Sequence, residues 1–330
     1  MGPHNGGGAD TTSHNWTFTI DTLGDGASDL YDVAIVSTNP PVAYAVGEIN
    51  VLDSVGNWEN PFYNLAGWDG GNWSLQRVPY YYQGQPYYHP IQSVFSFGPR
   101  EIWLCGNGVI YWDGSTFAPV PVPTAVWGQY QMNKIWGTGS SNIYVVGNGG
   151  SAAMYTSGSW QKVISNITLD IRDIWGSPDG SQILAVASND EGSKFLSIQG
   201  TTVTTVSDSG LGSSLYGVWF VPNQKYYAVG AGISWKHRLT DRVWNTYAPG
   251  VVTSYVSESV AGNDTSDVFV VGDSFEMVHY NGRSWHNYKD MIPLSYGVLG
   301  KVAIKGNLMI AVGFTGIGQK AIAVIGRRQN

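Results

Sequence analysis

Several features that would restrict the function of the 330-residue chain are missing or rare in it. There is one cysteine, Cys105, so the chain can form neither a disulfide framework nor a cysteine-based metal site. Only 12% of the residues are charged, and the formal net charge of -7 provides no basic surface for nucleic-acid phosphates. No apolar run approaches 18 residues, which predicts that no transmembrane helix is present. The low charge also argues against a cytosolic helical protein, whose exposed faces are normally rich in Lys and Glu.

Sequence signatures of catalysis and cofactor binding are missing as well. The chain has no Gly-x-Ser-x-Gly elbow, no phosphate-binding Gly-x-x-x-x-Gly-Lys-Ser/Thr loop, no His-Glu-x-x-His pair and no dinucleotide fingerprint placed between a strand and a helix. His279 and His286 flank a turn, and this spacing does not predict a metal site. Residues 21–26 and 262–267 offer Asp and Asn oxygens in glycine-containing loops, but neither matches an EF-hand. The sequence predicts no cofactor, with calcium in these loops as the remaining alternative.

Glycine and aromatic residues are abundant. The chain contains 43 Gly, 14 Trp and 20 Tyr, and 43% of its residues are hydrophobic. Glycine is nearly twice as frequent as the roughly 7% of ordinary proteins, without the spacing of collagen. This composition predicts a large core and many tight turns.

A short strand-like run that ends in Val-Gly or a close equivalent occurs seven times. After a first interval of 59 residues, its end positions are 40 to 43 residues apart. This period is that of a four-stranded propeller blade. The final residues of the seven runs are Gly47, Gly106, Gly147, Ala187, Gly230, Gly272 and Gly313.

Two further signatures accompany each run. An apolar segment with a central Val or Ile precedes it and predicts an innermost strand, and in most units a bulky residue, a glycine turn and another bulky residue follow it. The seventh unit lacks an outer strand, which residues 15–20 can supply. We therefore predict an all-β, seven-bladed β-propeller of four-stranded antiparallel blades, closed by an N-terminal strand that completes the last blade.

The order of these signatures resembles the divergent bacterial β-propellers grouped near Kelch, BNR and photosystem-assembly-factor-like repeats. The motifs that carry the resemblance are (V/I)W in the inner strand, then (Y/F)xVG, then (Y/W)DGxxW, as in Trp112–Phe117. The resemblance extends over residues 15 to 326 and indicates no closer family. It implies a fold whose members include glycan-binding lectins, lyases, sialidases, assembly factors and interaction platforms, many of them exported, so it does not select one function.

The repeats also predict the domain organisation. Residues 1–14 are interpreted as a flexible leader or an expression remnant, and residues 15–330 as one propeller domain. Residues 48–64 and 78–90 are insertions in or after the first blade. The Asn/Ser/Thr/Gly/Tyr-rich, Lys-poor composition favours an extracytoplasmic location, whether secreted, periplasmic or on the cell surface.

The predicted inner strands bring polar residues to the central channel. Two neighbouring positions before each central Val or Ile hold six charged residues among fourteen, in a chain with few charges. One interpretation is a water-filled channel with satisfied ion pairs. The other is a polar pocket at one mouth that holds a ligand, with four candidate contacts: Lys134, Arg172, Asp173 and Glu258. Two carboxylates and an Arg could perform acid/base chemistry on a glycan, although their separation is not fixed by the sequence.

The second insertion is unusually rich in tyrosine. Its three prolines predict an ordered loop without ladder pairing. Tyrosine combines a flat apolar face with a polar tip, which suits sugar rings or protein partners. The alternative is structural, with the tyrosines capping the mouth. The candidate ligand contacts are Tyr80, Tyr81, Tyr82, Tyr87, Tyr88 and His89.

Three functions remain open. We favour a non-catalytic, exported binding or scaffold propeller that recognises a glycan or a protein through the tyrosine-rich loop and the channel mouth. The first alternative is a structural component of a surface or envelope assembly. The second is a carbohydrate-active enzyme, a lyase or hydrolase, on the same face. The predicted partners exclude nucleic acid and a membrane span, and the chain is expected to be a monomer unless it belongs to an assembly.

Overall fold

The seven repeats fold as seven four-stranded antiparallel sheets, the blades of a β-propeller. The structure is a computed structural model that describes residues 13–316 and 318–329. Most of the predicted leader, residues 1–12, lies outside the described residues. The first strand, β1 (Trp16–Leu23), precedes blade 1 in the chain. The prediction of an all-β, seven-bladed propeller is confirmed.

The first three blades contain the two insertions and the one α-helix of the described chain. Blade 1 consists of β2 (Gly26–Thr38), β3 (Pro41–Asn50), β4 (Tyr63–Trp68) and β5 (Trp73–Gln76). A two-stranded hairpin follows, β6 (Tyr80–Tyr82) and β7 (Gln85–Tyr87). Blade 2 consists of β8 (Ser93–Gly98), β9 (Glu101–Cys105), β10 (Val109–Trp112) and β11 (Phe117–Pro119). After α1 (Thr124–Trp127), blade 3 consists of β12 (Met132–Gly139), β13 (Asn142–Gly147), β14 (Ala152–Thr156) and β15 (Ser159–Lys162).

The remaining blades follow the same order. Blade 4 consists of β16 (Ile171–Gly176), β17 (Ile183–Asn189), β18 (Gly192–Gln199) and β19 (Thr202–Val206). Blade 5 consists of β20 (Leu215–Val221), β21 (Lys225–Gly230), β22 (Gly232–Lys236) and β23 (Asn245–Tyr247). Blade 6 consists of β24 (Ser257–Asp264), β25 (Asp267–Gly272), β26 (Met277–Tyr280) and β27 (Trp285–Asn287). Blade 7 consists of β28 (Gly297–Lys305), β29 (Leu308–Thr315), β30 (Ala321–Arg328) and β1. Short 3-10 helices lie at Asn148–Gly150 and Lys289–Met291.

Antiparallel order gives the propeller two different faces. In each blade the connections between the first and second strands and between the third and fourth strands lie on one face, which we call the return face. The connections between the second and third strands, and from each outer strand to the next blade, lie on the other, the crossover face. Both insertions, residues 48–64 and 78–90, extend from connections of the crossover face.

The core lies between the blades. Seven clusters of buried apolar side chains each join one blade to its neighbour. Aromatic rings fill these wedges, as where the indole of Trp136 in blade 3 packs against Gly176 in blade 4. An added Cβ at Gly176 would lie 2.3 Å from that indole. Each blade therefore depends on both neighbours to bury its faces.

A β-bulge near the start of the inner strand explains the repeated glycine. In six blades the pairing register shifts by one residue there, as between Leu215 and Gly217 in blade 5. Beside the bulge, a carbonyl at or just before the start of the inner strand lies against the repeated glycine of the second strand. A Cβ added at Gly230 would lie 2.0 Å from the carbonyl oxygen of Ser214, and one at Gly272 would lie 2.1 Å from that of Val256. Glycine avoids this contact in five of the six bulged blades, whereas blade 4 has Ala187 at the equivalent position.

The ring is closed by strands from the two ends of the chain. All of β1 pairs with β30, from Trp16 opposite Arg328 to Leu23 opposite Ala321. Beside this joint, Asp267 of blade 6 binds both Arg328 and the imidazole of His279, whose Nε2 lies 2.8 Å from Asp267 Oδ1. The Nδ1 atoms of His14 and His279 lie 3.0 Å apart. A buried charge cluster thus joins blade 6 to the closing blade.

We expect the repeated glycine to be essential for stability. Gly230→Ala should lower the free energy of unfolding by about 1–3 kcal/mol, because the new Cβ would overlap the Ser214 carbonyl. Gly139→Ala is the matched control, since an added Cβ there meets no atom within 4 Å. Urea denaturation of both variants tests this, and equal stabilities would contradict it.

The closing cluster should make stability depend on acid. Burial, and then the charges of His279, His286 and Arg328, lower the pKa of His14 to about 4. Burial also lowers the pKa of His279. The unfolded chain therefore binds more protons between about pH 6.5 and 4, and stability falls as the pH falls through that window. We expect the melting temperature of His14→Gln to fall less than that of the wild type between pH 7 and 4.5. His237→Gln, at an exposed histidine, is the control, and parallel wild-type and His14→Gln profiles would refute the assignment.

Candidate functional site

The channel is lined by layers of equivalent residues, one from each inner strand. The layer nearest the crossover face, which we call the mouth layer, contains the residues at the bulges. In a regular strand, neighbouring side chains point to opposite faces, whereas at these bulges both neighbours line the channel. The mouth layer consists of Tyr31, Gln92, Asn133, Arg172, Tyr216, Glu258 and Gly300.

The mouth layer surrounds a cavity of about 450 Å³ on the crossover face, which we call the crossover cavity. Three carboxyl groups line it: Asp29, Glu258 and Asp273. Burial, reinforced by the charge of Asp273, raises the pKa of Glu258 to about 7 against the opposing charges of Lys301 and Arg172.

The other two carboxyl groups are shifted in the same direction. Burial raises the pKa of Asp29 to about 7, with a further contribution from the charge of Glu48 and a partly opposing hydrogen bond from the Leu30 amide. Burial and the charge of Glu276 raise the pKa of Asp273. The mouth therefore holds carboxyl groups that change charge near neutral pH.

One step deeper, a second layer holds two ion pairs. Lys134 Nζ lies 2.7 Å from Asp32 Oδ2, and Lys301 Nζ lies 3.1 Å from Asp173 Oδ1. Burial alone would lower the pKa of Lys134, but the carboxylates of Asp32 and Asp173 outweigh burial and raise it. This ion-pair layer consists of Asp32, Ser93, Lys134, Asp173, Gly217, Ser259 and Lys301.

The ion-pair layer also joins neighbouring blades. Asp32 accepts hydrogen bonds from the Ser93 hydroxyl at 2.6 Å and from the Val94 amide at 3.0 Å in the next blade. Asp173 accepts one from the Val218 amide in the same way, at 3.1 Å. The polar groups of this layer thus bind one blade to the next. This agrees with the interpretation that the channel contains satisfied ion pairs.

The structure distributes the four predicted channel residues over two layers. Arg172 and Glu258 line the crossover cavity, whereas Lys134 and Asp173 belong to the ion-pair layer and line a second cavity beneath it. Arg172 is engaged by Asp170 at 3.2 Å, and its Nε donates to the carbonyl of Ser188. The four residues therefore do not form one cluster.

The tyrosine-rich segment forms the β6–β7 hairpin, which we call the tyrosine hairpin. The prediction that its prolines prevent ladder pairing is wrong, because Pro86 lies opposite Tyr81 within the hairpin. Tyr81 and Tyr82 are 50% and 68% exposed, whereas Tyr80 is 4% exposed. The ring of Tyr80 packs above Gly106 and Gly108 of blade 2.

The remaining aromatic residues of the segment, Tyr87, Tyr88 and His89, differ in their exposure and contacts. Tyr87 stacks on Tyr80 with ring centroids 5.8 Å apart and meets His89 edge-on at 5.5 Å. Tyr88 is half-buried and His89 is exposed. Among the described residues that line the crossover cavity, none belongs to the tyrosine hairpin. Hairpin and cavity share a face but occupy different parts of it.

The insertion of residues 48–64 is tied to the base of the tyrosine hairpin. The side-chain amide of Asn64 donates to the carbonyls of Val78 and His89 at 3.0 and 2.9 Å. Arg77 contacts Glu59 at 2.6 Å. The two insertions therefore lie side by side at their bases.

Exposed apolar side chains concentrate in connections of one kind. Of the twelve large apolar residues that are exposed in the described chain, eleven lie in connections of the crossover type, and Val243 is the exception. The eleven are Leu52, Val55, Trp58, Tyr81, Tyr82, Tyr130, Ile164, Val251, Tyr255, Met291 and Tyr296. The exposed large apolar side chains of the described chain are therefore concentrated on the crossover face.

Some site residues escaped the sequence analysis. Asp273 follows the Val-Gly of the sixth repeat directly, so the repeat register could have placed it on the crossover face. Asp29 precedes the inner-strand motif and carried no signal of its own. The exposed apolar residues lie between repeats, where the repeat makes no prediction.

In residues 21–26, one of the two loops considered as an alternative calcium site, two carboxylates accept hydrogen bonds from other parts of the protein. Asp21 accepts a hydrogen bond from the Trp73 indole at 2.9 Å, and Asp25 accepts one from the Leu52 amide at 2.8 Å. Within residues 13–316 and 318–329, no three His, Cys, Asp or Glu side chains are grouped to hold a metal ion. In the same ranges no helix is long and apolar enough to cross a membrane.

Comparisons with known proteins bear on the fold. No family model matches the chain, and no curated protein sequence matches it either. Among solved structures, YCF48 bound to D1 peptide superposes with a TM-score of 0.70 at 16% identity, over 96% of this chain and 98% of that one. YCF48 from Cyanidioschyzon merolae gives 0.67 at 13% identity, over 96% and 99%. The WD40 β-propeller domain of Doa1 gives 0.64 at 14%, over 95% and 98%. At these identities the likeness establishes the propeller fold alone, and the Kelch/BNR type stays a prediction.

The ion-pair layer leads to a test of stability. Lys134→Met should lower the free energy of unfolding by about 3–5 kcal/mol, because it leaves the buried carboxylate of Asp32 without its cation. The double variant Asp32→Asn/Lys134→Met should be less destabilised than Lys134→Met alone, since the buried charge is gone. Chemical denaturation of the single and double variants measures the coupling, and strictly additive effects would contradict it.

Proposed function

We propose that this protein is a non-catalytic binding scaffold that holds an extended, positively charged segment of a protein partner on its crossover face. The observation that carries the proposal is the concentration of eleven of the twelve exposed large apolar residues in connections of that face. Protein interfaces are enriched in exposed aromatic and Met side chains. Tyr81 and Tyr82 offer such contacts without being needed by the core.

The charge of the crossover cavity argues for a cationic segment. Of its charged residues, Asp29, Glu258 and Asp273 are acidic, whereas Arg172 and Lys301 each already contact an aspartate outside this acidic group. A Lys or Arg side chain at the mouth would relieve the repulsion among the carboxylates. That a propeller can hold a peptide has a precedent in YCF48 with its D1 peptide, although the 16% identity carries over no site.

The finer parts of this function rest on the sequence. We propose, as the composition predicts, that the protein acts outside the cytoplasm and is a monomer unless its partner assembles it. A glycan is the competing ligand, because Tyr81 and Tyr82 could stack on sugar rings. If the protein partner were bound permanently, the chain would be a structural component of an envelope assembly, which is the first alternative from the sequence.

Carbohydrate-active chemistry is a second candidate because of one observation. Glu258 and Asp29 line the same cavity with pKa values raised to about 7, so either could remain protonated near neutral pH and act as a general acid. Release of reducing ends from polysaccharides, lost in Glu258→Gln, would favour this candidate over a scaffold.

Peptide selection tests the proposal. Peptides selected from a random library on the immobilised protein should be basic, and replacing their Lys or Arg by Gln should weaken binding about tenfold. Binding should strengthen from pH 6 to 8, because Asp29 and Glu258 lose their protons across that range. The Tyr81→Ala/Tyr82→Ala variant should lose most of the affinity while its stability changes by less than about 0.5 kcal/mol.

Matched variants separate the outcomes. Val243→Ala, at the exposed apolar residue outside the crossover connections, should bind like the wild type. Acidic selected peptides, or affinities insensitive to Tyr81, Tyr82 and Glu258, would refute the proposal. A glycan array run in parallel decides between ligands: glycan binding that Tyr81→Ala/Tyr82→Ala abolishes, with no peptide selected, would replace the peptide by a sugar.

A further inference from the structure

Below the ion-pair layer lies a second cavity of about 240 Å³, which extends toward the return face. Its wall is a third layer, two residues further along each inner strand. Four consecutive blades contribute aromatic rings to this layer, and the other three contribute alanine. The aromatic residues are Phe95, Trp136, Trp175 and Trp219, and the alanines are Ala34, Ala261 and Ala303.

This asymmetry explains why the cavity exists. The aromatic rings of blades 2 to 5 form the wall on one side, with Trp136 and Trp219 packed against Gly176 and Gly262 of the next blades, whereas the small methyl groups of blades 6, 7 and 1 leave a gap on the other side. The space is larger than the roughly 150 Å³ apolar cavity that holds a benzene molecule. The gap therefore accommodates an aromatic ring together with a short polar head group.

The ceiling of this gap carries hydrogen-bond donors. Lys301 and Ser259 lie on the alanine-bearing strands of blades 7 and 6. Among the described residues, the ammonium of Lys301 contacts only Asp173, at 3.1 Å, although it has three N–H donors. Ser259 accepts a hydrogen bond from the Val302 amide at 3.3 Å, and within the same residues its own hydroxyl hydrogen has no acceptor. These donors are available to an anion.

The charge of the cavity also favours an anion. Its ionisable lining consists of three lysines and two aspartates, so it carries one net positive charge: Lys134, Lys301, Lys305, Asp32 and Asp173. The crossover cavity has the opposite balance. A carboxylate placed beneath Lys301 and Ser259 would gain charge-assisted hydrogen bonds while its ring stacks against the aromatic wall.

We propose that this return-face cavity is a binding site for a small aromatic carboxylate, with the carboxylate on Lys301 and Ser259 and the ring between the aromatic wall and Ala303. Lys301 lines this cavity and the crossover cavity, but the ring lies on the return-face side of the ion-pair layer, and the proposal does not depend on the proposed peptide.

Two acids and their amides test the site directly. Phenylacetate and indole-3-acetate are titrated into the purified chain, with tryptophan fluorescence and calorimetry as readouts. At least one acid should bind saturably with a Kd below about 1 mM. The corresponding amide should bind at least about tenfold more weakly, because it lacks the charge that Lys301 and Ser259 receive.

A cavity-filling variant locates the site. Ala303→Phe places a ring in the gap and should weaken acid binding at least about tenfold, with Ala261→Leu as the second filling variant if Ala303→Phe does not fold. Tyr81→Ala/Tyr82→Ala, on the other face, should bind the acids like the wild type. Circular dichroism and melting temperature establish that each variant is folded. Equal affinity for acid and amide, unchanged binding after the gap is filled, or no saturation by either acid at about 5 mM would overturn the proposal.

Discussion

The structure depends on closure of the ring. Each blade buries its two faces only against its neighbours, so seven blades in an open row would leave two sheet faces in water. Pairing of β1 with β30 removes these faces, and the Asp267 cluster with Arg328, His279 and His14 fastens the joint from the neighbouring blade. The joint thus completes the ring, in which each of the seven cores lies between two neighbouring blades.

Within the closed ring, the bulge at the start of the inner strands controls the channel. It turns two consecutive residues inward, so that Arg172 reaches the mouth while Asp173 joins the layer below. At the bulge a carbonyl oxygen lies close to the second strand, and the repeated glycine leaves room for that oxygen. The backbone geometry of the inner strand thus accounts for the recurring glycine at the end of the Val-Gly runs and for the two layers of polar side chains in the channel.

The sequence predicts the fold better than the site, for a physical reason. The 40-residue period, the Val-Gly runs and the missing outer strand of the seventh unit all follow from pairing and packing rules that repeat, and they predict the ring correctly. Arg172 and Asp173 could be placed on the channel for the same reason. The partner of Asp173 could not be predicted, because its contact with Lys301 joins residues of blades 4 and 7 across the channel. Tyr81 and Tyr82 escape the repeat because they lie in an insertion that is not part of the repeated unit, and Asp29 escapes it because it precedes the inner-strand motif.

The ion-pair layer divides the channel into two environments. Above it, Glu258, Asp29 and Asp273 make the crossover cavity acidic, and burial raises the pKa of all three carboxyl groups, to about 7 for Glu258 and Asp29. Below it, Lys305 adds a positive charge to a cavity with an aromatic wall. Lys134 and Lys301 neutralise Asp32 and Asp173 within the layer. The charges of the crossover cavity and of the return-face cavity are therefore not needed to balance each other. A fold that repeats one strand pattern seven times therefore presents two chemically opposite surfaces, and each can acquire a ligand without altering the core between the blades.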